Sequence, residues 1–500
     1  MLVPQQAKKF LMLLIFWTLI FFSALLYWTN YTDISQYKTH LIGIFTRNIH
    51  HTGDIFKSDT ICKDQRKKLI GRIKQNGNFT GGTDYHHKNR LAIQNFTKTN
   101  ISNNNHNKGV YDICPHLTKP DFENAKHRQL QRVNKQAWVF SAYYDHRKPN
   151  HRIRVITWSM VDYNESALYC QMWFNYSREP HIQKVALVDV HIHIKKYNST
   201  AKIVSCFLKD NRVPHAVSLV QDGCKPTNVL RVINNYRKDQ TPKYMFNVCG
   251  PILQNKYDDS RGIIHMIEMN MFFGADHFVF YNWSLGANAS AVLKKYQREG
   301  IVDVIPWKLP PFKLHYFAQP AALIDCHYSN LYTSKYIVIS DMDELIVPRN
   351  GRTWSDVMMN LTHKNSSTKP GICAALFRNA FFHTQLKQPK LLNDTEHQIS
   401  KKYGINTLLM TKRDYNITPY ARTKWIGDPT YITMASIHRP QICRPDGNRL
   451  FVDLSEGMMH HYRRISLTPN QTTTKDDFML RYKDDIIKRI TKRFKRFNLD

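Results

Sequence analysis

With 500 residues, the chain is long enough for about two to four domains. Its 42% hydrophobic and 12% aromatic content excludes a largely disordered protein. The chain has 71 Lys and Arg against 39 Asp and Glu, a net charge of +32, which in a cytosolic protein would indicate nucleic acid as partner. The N-terminal features below argue against nucleic acid, and leave anionic glycans, a membrane surface or a simply basic solvated surface.

Residues 10–28 are an uncharged apolar run that is long enough to cross a bilayer as a helix. Lys8 and Lys9 precede this run directly, so the positive-inside rule predicts a cytosolic tail at 1–9 and a lumenal body. A cleaved signal peptide is the competing interpretation. We favour an uncleaved anchor, because the run is longer than a usual signal core and no small-residue cleavage site follows it closely.

Two further features favour a lumenal body. Asn-x-Ser/Thr sequons, the acceptors for N-glycans, are frequent along the whole chain. The nine cysteines include no C-x-x-C pair, which argues against a zinc ribbon. Some of them should pair in an oxidising lumen, and an odd total leaves at least one thiol free or bonded to another chain.

Two regions of different character follow the anchor. Residues 29–135 are rich in Asn, Lys and His without an apolar period, which predicts a stem with little fixed structure. Residues 136–240 contain short β-branched and aromatic runs separated by charged residues, sequons, Pro and Asn, which predicts a small antiparallel β-rich domain.

Residues 241–470 alternate between strand and helix patterns. Strands are predicted at 243–248, 277–282, 301–307 and 336–340, and helices at 261–275, 287–299 and 317–332. Such alternation predicts an α/β fold, with a mostly parallel sheet and helices on both faces. A basic amphipathic helix at 484–497 is predicted within the C-terminal segment 471–500, where it could pack on the body or lie on a membrane.

Three carboxylates, Asp341, Asp343 and Glu344, directly follow the strand pattern at 336–340. Ligands of open α/β sheets collect beyond the carboxyl ends of the strands. If the extended geometry persists, Asp341 and Asp343 point the same way and repel unless a cation lies between them. Mg²⁺ or Mn²⁺ fits such an oxygen site and commonly holds a diphosphate. An acidic turn that merely caps the strand is the alternative.

Several motifs of residues 243–349 resemble the core of glycosyltransferase family 92, a nematode-rich group of type II Golgi enzymes. The similar segments are 247–252 (NVCGPI), 269–282 (MNMFFGADHFVFYN), 292–307 (VLKKYQREGIVDVIPW), 325–329 (DCHYS), 336–348 (YIVISDMDELIVP), 422–438 (RTKWIGDPTYITMASIH) and 460–463 (HHYR). The resemblance covers roughly 240–465. It implies a GT-A-like fold, a nucleotide-sugar donor, a divalent metal that is usually manganese, and a Golgi location.

The resemblance also implies the reaction, galactosyl transfer from UDP-galactose to a fucose-bearing glycan with inversion. Asp341 and Asp343 would be the metal motif. The other expected site residues are His438 or His461 as a third metal ligand, Cys249 and Asn255 in the loop 249–257 near the nucleotide, Lys424 and Arg463 at the diphosphate, and Asp325, Glu344 or Glu456 as the base that inversion needs. Glu344 could instead support the metal motif from behind.

Two other functions fit the same sequence. A membrane-tethered, catalytically inactive glycan-binding protein would use the β-rich domain and the basic surface. A metal-dependent phosphohydrolase would also use clustered carboxylates, but it usually needs ligands for two metals, and the region has no obvious second cluster.

Overall fold

The computed structural model describes residues 114, 117, 119–123, 125–147, 151–174, 179–191, 196–222, 224–365, 371–464 and 472–499. Residues 105–500 form one compact unit. The predicted tail and anchor (1–28), most of the predicted stem and Cys62 lie outside the described residues. Within the described ranges, no helix is long and apolar enough to cross a bilayer.

The first part of the described chain is a single nine-stranded sheet. Its strands β1–β9 are Arg128–Arg132, Ala137–Asp145, Arg152–Met160, Tyr169–Trp173, His181–Lys184, Leu187–Val190, Ser199–Phe207, Ala216–Val220 and Leu230–Ile233. Their order is β5-β4-β8-β9-β2-β3-β7-β6, with β1 on β2, and the β2–β9 pair is parallel. Strand β1 lies in the stretch assigned to the stem, where its polar sequence RQLQR gave no apolar pattern.

The nine-stranded sheet folds over on itself around a core of its own. Met172 and Leu219 from one half pack with Val155 and Val204 from the other. The opposite face of β2 and β3 carries Phe140 and other large side chains that belong to a different core, shared with the second part of the chain. The sheet therefore buries both faces.

The second part alternates strands and helices. Its strands β10–β23 are Tyr244–Leu253, His277–Asn282, Val302–Pro306, Ser334–Ile339, Glu344–Pro348, Gly371–Phe377, Asn379–His383, Lys412–Asp414, Lys424–Gly427, Ile432–Met434, Ile442–Cys443, Gly447–Phe451, Gly457–Arg463 and Thr473–Lys475. Its helices α1–α7 are Ser260–Phe272, Ala287–Arg298, Gln319–Asn330, Trp354–Lys364, Asp394–Tyr403, Asn406–Leu409 and Lys483–Arg496. The α/β prediction is confirmed, and each predicted strand and helix has a counterpart within a few residues.

A seven-stranded sheet organises this part, in the order β12-β11-β10-β13-β18-β15-β21. Strands β12, β11, β10 and β13 are parallel, and β18 then pairs antiparallel with both β13 and β15. The sheet is therefore mixed. A smaller sheet, in the order β14-β22-β16-β17-β23, lies beside the carboxyl end of β13 because β14 follows β13 after one short turn.

The two faces of the seven-stranded sheet are covered differently. Side chains alternate along each strand, so Val338 joins the core under α1, α2, α4 and α7, while Ile337 and Ile339 join the opposite core. That opposite core contains α3 together with Phe140 and Trp158 of the nine-stranded sheet. Helices alone were predicted on both faces, but the β-rich sheet takes most of the second face.

Helix α7 packs on the body rather than standing free. Ile486, Ile490 and Phe494 of its apolar stripe are buried in the core that α1 also joins. Glu268 of α1 is 2% exposed and pairs with Arg489 and Arg493 of α7. The packing alternative from the sequence is the one the structure has.

Eight of the nine cysteines form disulfides. The pairs are Cys114–Cys224, Cys170–Cys206, Cys249–Cys326 and Cys373–Cys443. Each pair closes a loop between distant parts of the chain, which restricts the unfolded state. The prediction that some cysteines pair is confirmed.

Candidate active site

The carboxylates after β13 lie on a tight turn, not on a continued strand. Strand β13 ends at Ile339 and β14 starts at Glu344. We call residues 341–344 the acidic turn. The Glu344 amide donates to the Asp341 carbonyl at 3.3 Å, and the Asp341 amide donates to Glu344 Oε2 at 2.9 Å. The extended geometry expected from the sequence does not persist, so Asp341 and Asp343 do not share one strand face.

Lys424 binds the acidic turn from inside the protein. Its Nζ lies 2.8 Å from Asp341 Oδ2 and 2.9 Å from Glu344 Oε2, and its side chain is fully buried. The antiparallel pairing of Ile339 with Trp425 brings the preceding Lys424 beside this turn. Burial lowers the pKa of Lys424, but the charges of Asp341 and Glu344 more than offset this and hold it above its usual value.

His461 binds the other side of the turn. It faces Glu344 across the β14–β22 pair, and its Nε2 lies 3.2 Å from Asp343 Oδ2. Burial raises the pKa of Asp343, whereas the hydrogen bond and charge of His461 lower it, and the net shift is downward. Burial raises the pKa of Glu344, against the opposing charge of Lys424. The pKa values of the neighbouring carboxyl groups Asp343 and Glu344 therefore shift in opposite directions.

The turn forms part of the wall of a cavity of about 790 Å³. The loop after β10 contributes Gln254 and Tyr257. The predicted nucleotide loop 249–257 is shorter than expected, because residues 249–253 belong to β10 itself. The nine-stranded sheet contributes Trp158 and Thr200. The side chains of Asp341 and Asp343 are 32% and 45% exposed, so each keeps surface toward the cavity while its inner oxygen is paired.

The donor chemistry around this cavity fits a hard divalent cation. Asp341, Asp343, His438 and His461 all line it, and carboxylate oxygens with neutral imidazole suit Mn²⁺ or Mg²⁺. His438 Nδ1 lies 3.2 Å from the Thr423 carbonyl, and donation there makes Nε2 the lone-pair nitrogen. Among the residues described, no three His, Cys, Asp or Glu side chains already converge as a metal-binding group.

Burial and the charge of Lys424 lower the pKa of His438, so its imidazole is neutral at pH 7. The first choice for a third ligand therefore has a suitable protonation state. His461, the second choice, already pairs with Asp343.

Two of the three carboxylates expected as base do not reach the cavity, which corrects the sequence-based expectation. Asp325 is wholly buried in α3 and pairs with Arg128 of the nine-stranded sheet at 3.0 Å. Glu456 lies at the far end of β14 from the acidic turn, where Asn350 donates to its Oε2 at 3.0 Å. Glu344 lines the cavity, but its pairing with Lys424 makes it a support for the turn.

The expected substrate-binding residues also divide. Cys249 is bonded to Cys326 and links β10 to α3. Asn255 is exposed in the loop after β10 and does not line the cavity. Lys424 is committed to the acidic turn instead of facing a diphosphate. Arg463 is exposed and lines the cavity, as expected.

Sequence reasoning missed several contributors to the cavity wall, among them Arg422 and Tyr316. Arg422 lies at the cavity beside Arg463, and only the pairing of β18 with β13 brings it there. Tyr316 begins a run of three non-glycine residues, 316–318, with left-handed φ of 41°, 56° and 64°. Such strain often accompanies functional sites, but no sequence signal announces it in residues with side chains.

Together, the sheet and cavity define an α/β protein with a cavity at the carboxyl end of its parallel strands. The sequence model of glycosyltransferase family 92 matches residues 244–497, which is half of the chain. The chain belongs to glycosyltransferase family 92.

Other comparisons reach less of the chain. The beta-1,4-galactosyltransferase galt-1 of Caenorhabditis elegans is 26% identical over 237 residues, which are 44% of this chain and 53% of that relative. The chain thus spans about half the length of the curated relative it matches.

Solved structures give a weak likeness. Glucosyl-3-phosphoglycerate synthase from Mycobacterium tuberculosis, in complex with Mn²⁺, UDP and glucosyl-3-phosphoglycerate, has a TM-score of 0.23 and 10% identity over 51% of this chain and 81% of that chain. TarS 1-349 of S. aureus with UDP has a TM-score of 0.18 and 10% identity over 30% and 40%. The family assignment rests on the sequence match.

Proposed function

We propose that this protein transfers galactose from UDP-galactose to a fucose-bearing glycan, with inversion, on a GT-A-like fold. The observation that carries the proposal is the acidic turn in the cavity wall of a family 92 chain. The name of the relative supports galactose as the donor sugar. The four parallel strands that lead to the turn support the fold.

A divalent cation, Mn²⁺ or Mg²⁺, would be held by Asp341 and Asp343, with His438 as the imidazole ligand. When bound, such a cation neutralises the charge that develops on a departing diphosphate. Glu344 and Lys424 keep the turn in place from behind, which is a positioning role.

The exposed arginines at the cavity bind the donor. Arg463 and Arg422 both line it, and a guanidinium fork pairs well with phosphate oxygens. Gln254 and Tyr257 would face the nucleoside, because they lie beyond the carboxyl end of β10. Trp158 and Thr200, which the nine-stranded sheet contributes to the cavity, would face the acceptor.

We further propose a type II Golgi membrane protein with a lumenal body. Four disulfides are typical of an oxidising compartment. The sequon residues Asn164, Asn198, Asn288, Asn393 and Asn416 are exposed, as an N-glycan requires. Fluorescence microscopy of a tagged full-length chain, with protease protection to fix its orientation, tests this address.

The transferase proposal is tested with purified protein, labelled UDP-galactose and an array of fucose-bearing glycans. We expect transfer that EDTA abolishes and Mn²⁺ restores, and a raised melting temperature with UDP plus Mn²⁺, because a ligand specific for the folded state stabilises it. Release of free sugar without transfer would favour a hydrolase. If the protein showed no turnover and no stabilisation by UDP plus Mn²⁺, the proposal would be contradicted.

One observation favours the second candidate, an inactive glycan-binding protein. The Lys424 ammonium already pairs with both Asp341 and Glu344 of the acidic turn. That candidate predicts glycan binding that ignores both UDP and Mn²⁺, so the same array, read for binding, separates the two.

A further inference from the structure

A second cavity, of about 520 Å³, lies beside the first and shares Arg422 and Arg463 with it. We call it the arginine pocket, because Arg464 also lines it. Asn379 and Phe381 of β16 form another part of its wall. Asn379 and Phe381 have no role in the proposed metal site or in the proposed binding of the donor.

Asn379 is the first sign that the arginine pocket takes a ligand. The residue is 6% exposed, and within the described structure neither its Oδ1 nor its Nδ2 has a hydrogen-bond partner. Leaving a buried polar group unpaired costs about 1–3 kcal/mol. A sugar hydroxyl, which both donates and accepts, could satisfy either end of this amide.

The charge of the pocket is the second sign. Three guanidinium groups line it, from Arg422, Arg463 and Arg464, against the single carboxylate of Asp414. Asp414 Oδ1 lies 2.5 Å from His383 Nε2, so that carboxylate is already paired. Arginine forks favour oxyanions such as sulfate and carboxylate, with which they form paired hydrogen bonds.

Phe381 places the pocket next to the acidic turn. Its ring lies 5.0 Å from the ring of His461, which in turn contacts Asp343. The Arg422 guanidinium lies 5.8 Å from the centre of the same ring. One aromatic ring therefore lies between the pocket and the proposed metal site, and Arg422 and Arg463 line both cavities.

We propose that the arginine pocket binds an acidic sugar of the glycan acceptor, one that carries a sulfate or carboxylate group. Asn379 pairs with a ring hydroxyl, Phe381 packs on the apolar face of the sugar, and Arg464 binds the oxyanion. The assignment of this sugar to the acceptor rests on the proposed transferase function, whereas its binding does not.

The test measures binding without any donor, by calorimetry at constant ionic strength. The probes are a sulfated fucose disaccharide, the same disaccharide after desulfation, and a fucose disaccharide that contains glucuronic acid. We expect at least about tenfold tighter binding of one or both acidic probes than of the neutral one, which is about 1.4 kcal/mol. The two acidic probes show which oxyanion the pocket prefers.

Two variants localise the binding. Arg464→Gln should bring the acidic and neutral probes to within about twofold of each other and leave UDP binding unchanged, because Arg464 lines only the arginine pocket. Arg298→Gln, an exposed arginine on α2, is the matched control and should change nothing. Asn379→Leu removes the unpaired amide, so we expect a higher melting temperature together with weaker binding of all three probes.

The protein carries Asn416→Gln in every measurement, because an N-glycan on Asn416, which lines the same pocket, would compete with the probes. Equal binding of acidic and neutral probes, or an Asn379→Leu protein with unchanged binding, would overturn this proposal and leave the transferase assay unaffected. Tight binding of an acidic probe by a protein without turnover would support the pocket while contradicting the proposed function.

Discussion

Two carboxylate clusters of this fold differ in what their oxygens bind. Asp325 is fully enclosed: Ser141 and Tyr143 donate to its Oδ1 at 2.6 and 2.5 Å, and Tyr281 and Arg128 bind its Oδ2 at 2.7 and 3.0 Å. It holds α3 to the nine-stranded sheet. A carboxylate that is buried and has both oxygens paired, as Asp325 is, has a structural role.

The acidic turn has the opposite arrangement. Asp341 and Asp343 are paired on one side, by Lys424 and His461, and keep exposed surface on the cavity side. A carboxylate that is held from behind and open in front is positioned for a ligand. The two clusters therefore make opposite predictions about stability and activity.

The largest expected effect is on folding. Asp325→Ala leaves the partly buried Arg128 and three buried hydroxyl groups without their acceptor, so we expect a loss of about 3–5 kcal/mol in the free energy of unfolding. Urea denaturation followed by circular dichroism measures this loss. Asp210→Ala, at an exposed pair with Arg212, is the control and should leave the free energy of unfolding nearly unchanged. Equal stability of the two variants would break the comparison.

The next effect is on activity. Asp343→Ala should lower the rate of sugar transfer by about 10²–10³-fold, because it removes a charge that faces the cavity. Its stability should change by less than about 1 kcal/mol, since the side chain is 45% exposed. Initial rates over a Mn²⁺ titration, beside a urea curve, give both quantities. A folded variant with full activity at every Mn²⁺ concentration contradicts the metal role.

The cations extend the comparison, since Lys424 is buried and Arg463 is exposed. Arg463→Gln should raise KM for the donor about tenfold at nearly constant stability, because one charged contact to the diphosphate is lost. Steady-state kinetics with varied UDP-galactose measures it. Arg464→Gln is the neighbouring control, and an equal change in KM there would mean that the effect reflects general surface charge.

The smallest effect is a pH dependence inside the acidic turn. The folded pKa of Asp343 is lowered, so its contribution to stability is present above its unfolded value near 3.8 and is lost as the pH falls. The folded pKa of Glu344 is raised, so its contribution is present below its unfolded value near 4.5 and is lost as the pH rises through the folded value.

Urea midpoints measured between about pH 3 and 7 test these signs. The contribution of the partly exposed Asp343 to the free energy of unfolding is expected to be below about 1 kcal/mol. Asp343→Asn should flatten the acid side of the profile, and Glu344→Gln the side above pH 4.5. If both variants changed the same side of the pH profile, the opposite pKa shifts of Asp343 and Glu344 would be wrong.

The sequence predicted the parts of this fold that depend on local pattern. The strand at 277–282 is a continuous apolar run and is buried on both faces. The helix near 287–299 has an apolar stripe that matches its buried face, and the acidic pair follows a strand as expected. The cavity position of Asp341 and Asp343 follows from the rule on strand ends, whereas Arg463 was expected only from the family resemblance.

Contacts between residues that are far apart in the chain could not be predicted from a single sequence. Cys249 bonds to a cysteine 77 residues away, and Lys424 pairs with a carboxylate 83 residues away, so neither role shows in local spacing. Asp325 looked like a base candidate because its partners lie on strands that only the tertiary fold brings near. Chemistry-bearing residues can be read from a sequence, but the direction that each side chain faces depends on strand register.

Helix α7 has a consequence for how the second part of the chain folds. Its buried stripe and its arginines complete the core around Glu268, yet Arg493 is 225 residues away from Glu268 in sequence. Until these distant segments meet, the carboxylate on α1 has no arginine partner and the apolar groove beneath α7 is open to water. Contacts of such large sequence separation slow folding, because a long loop must close before the contact can form.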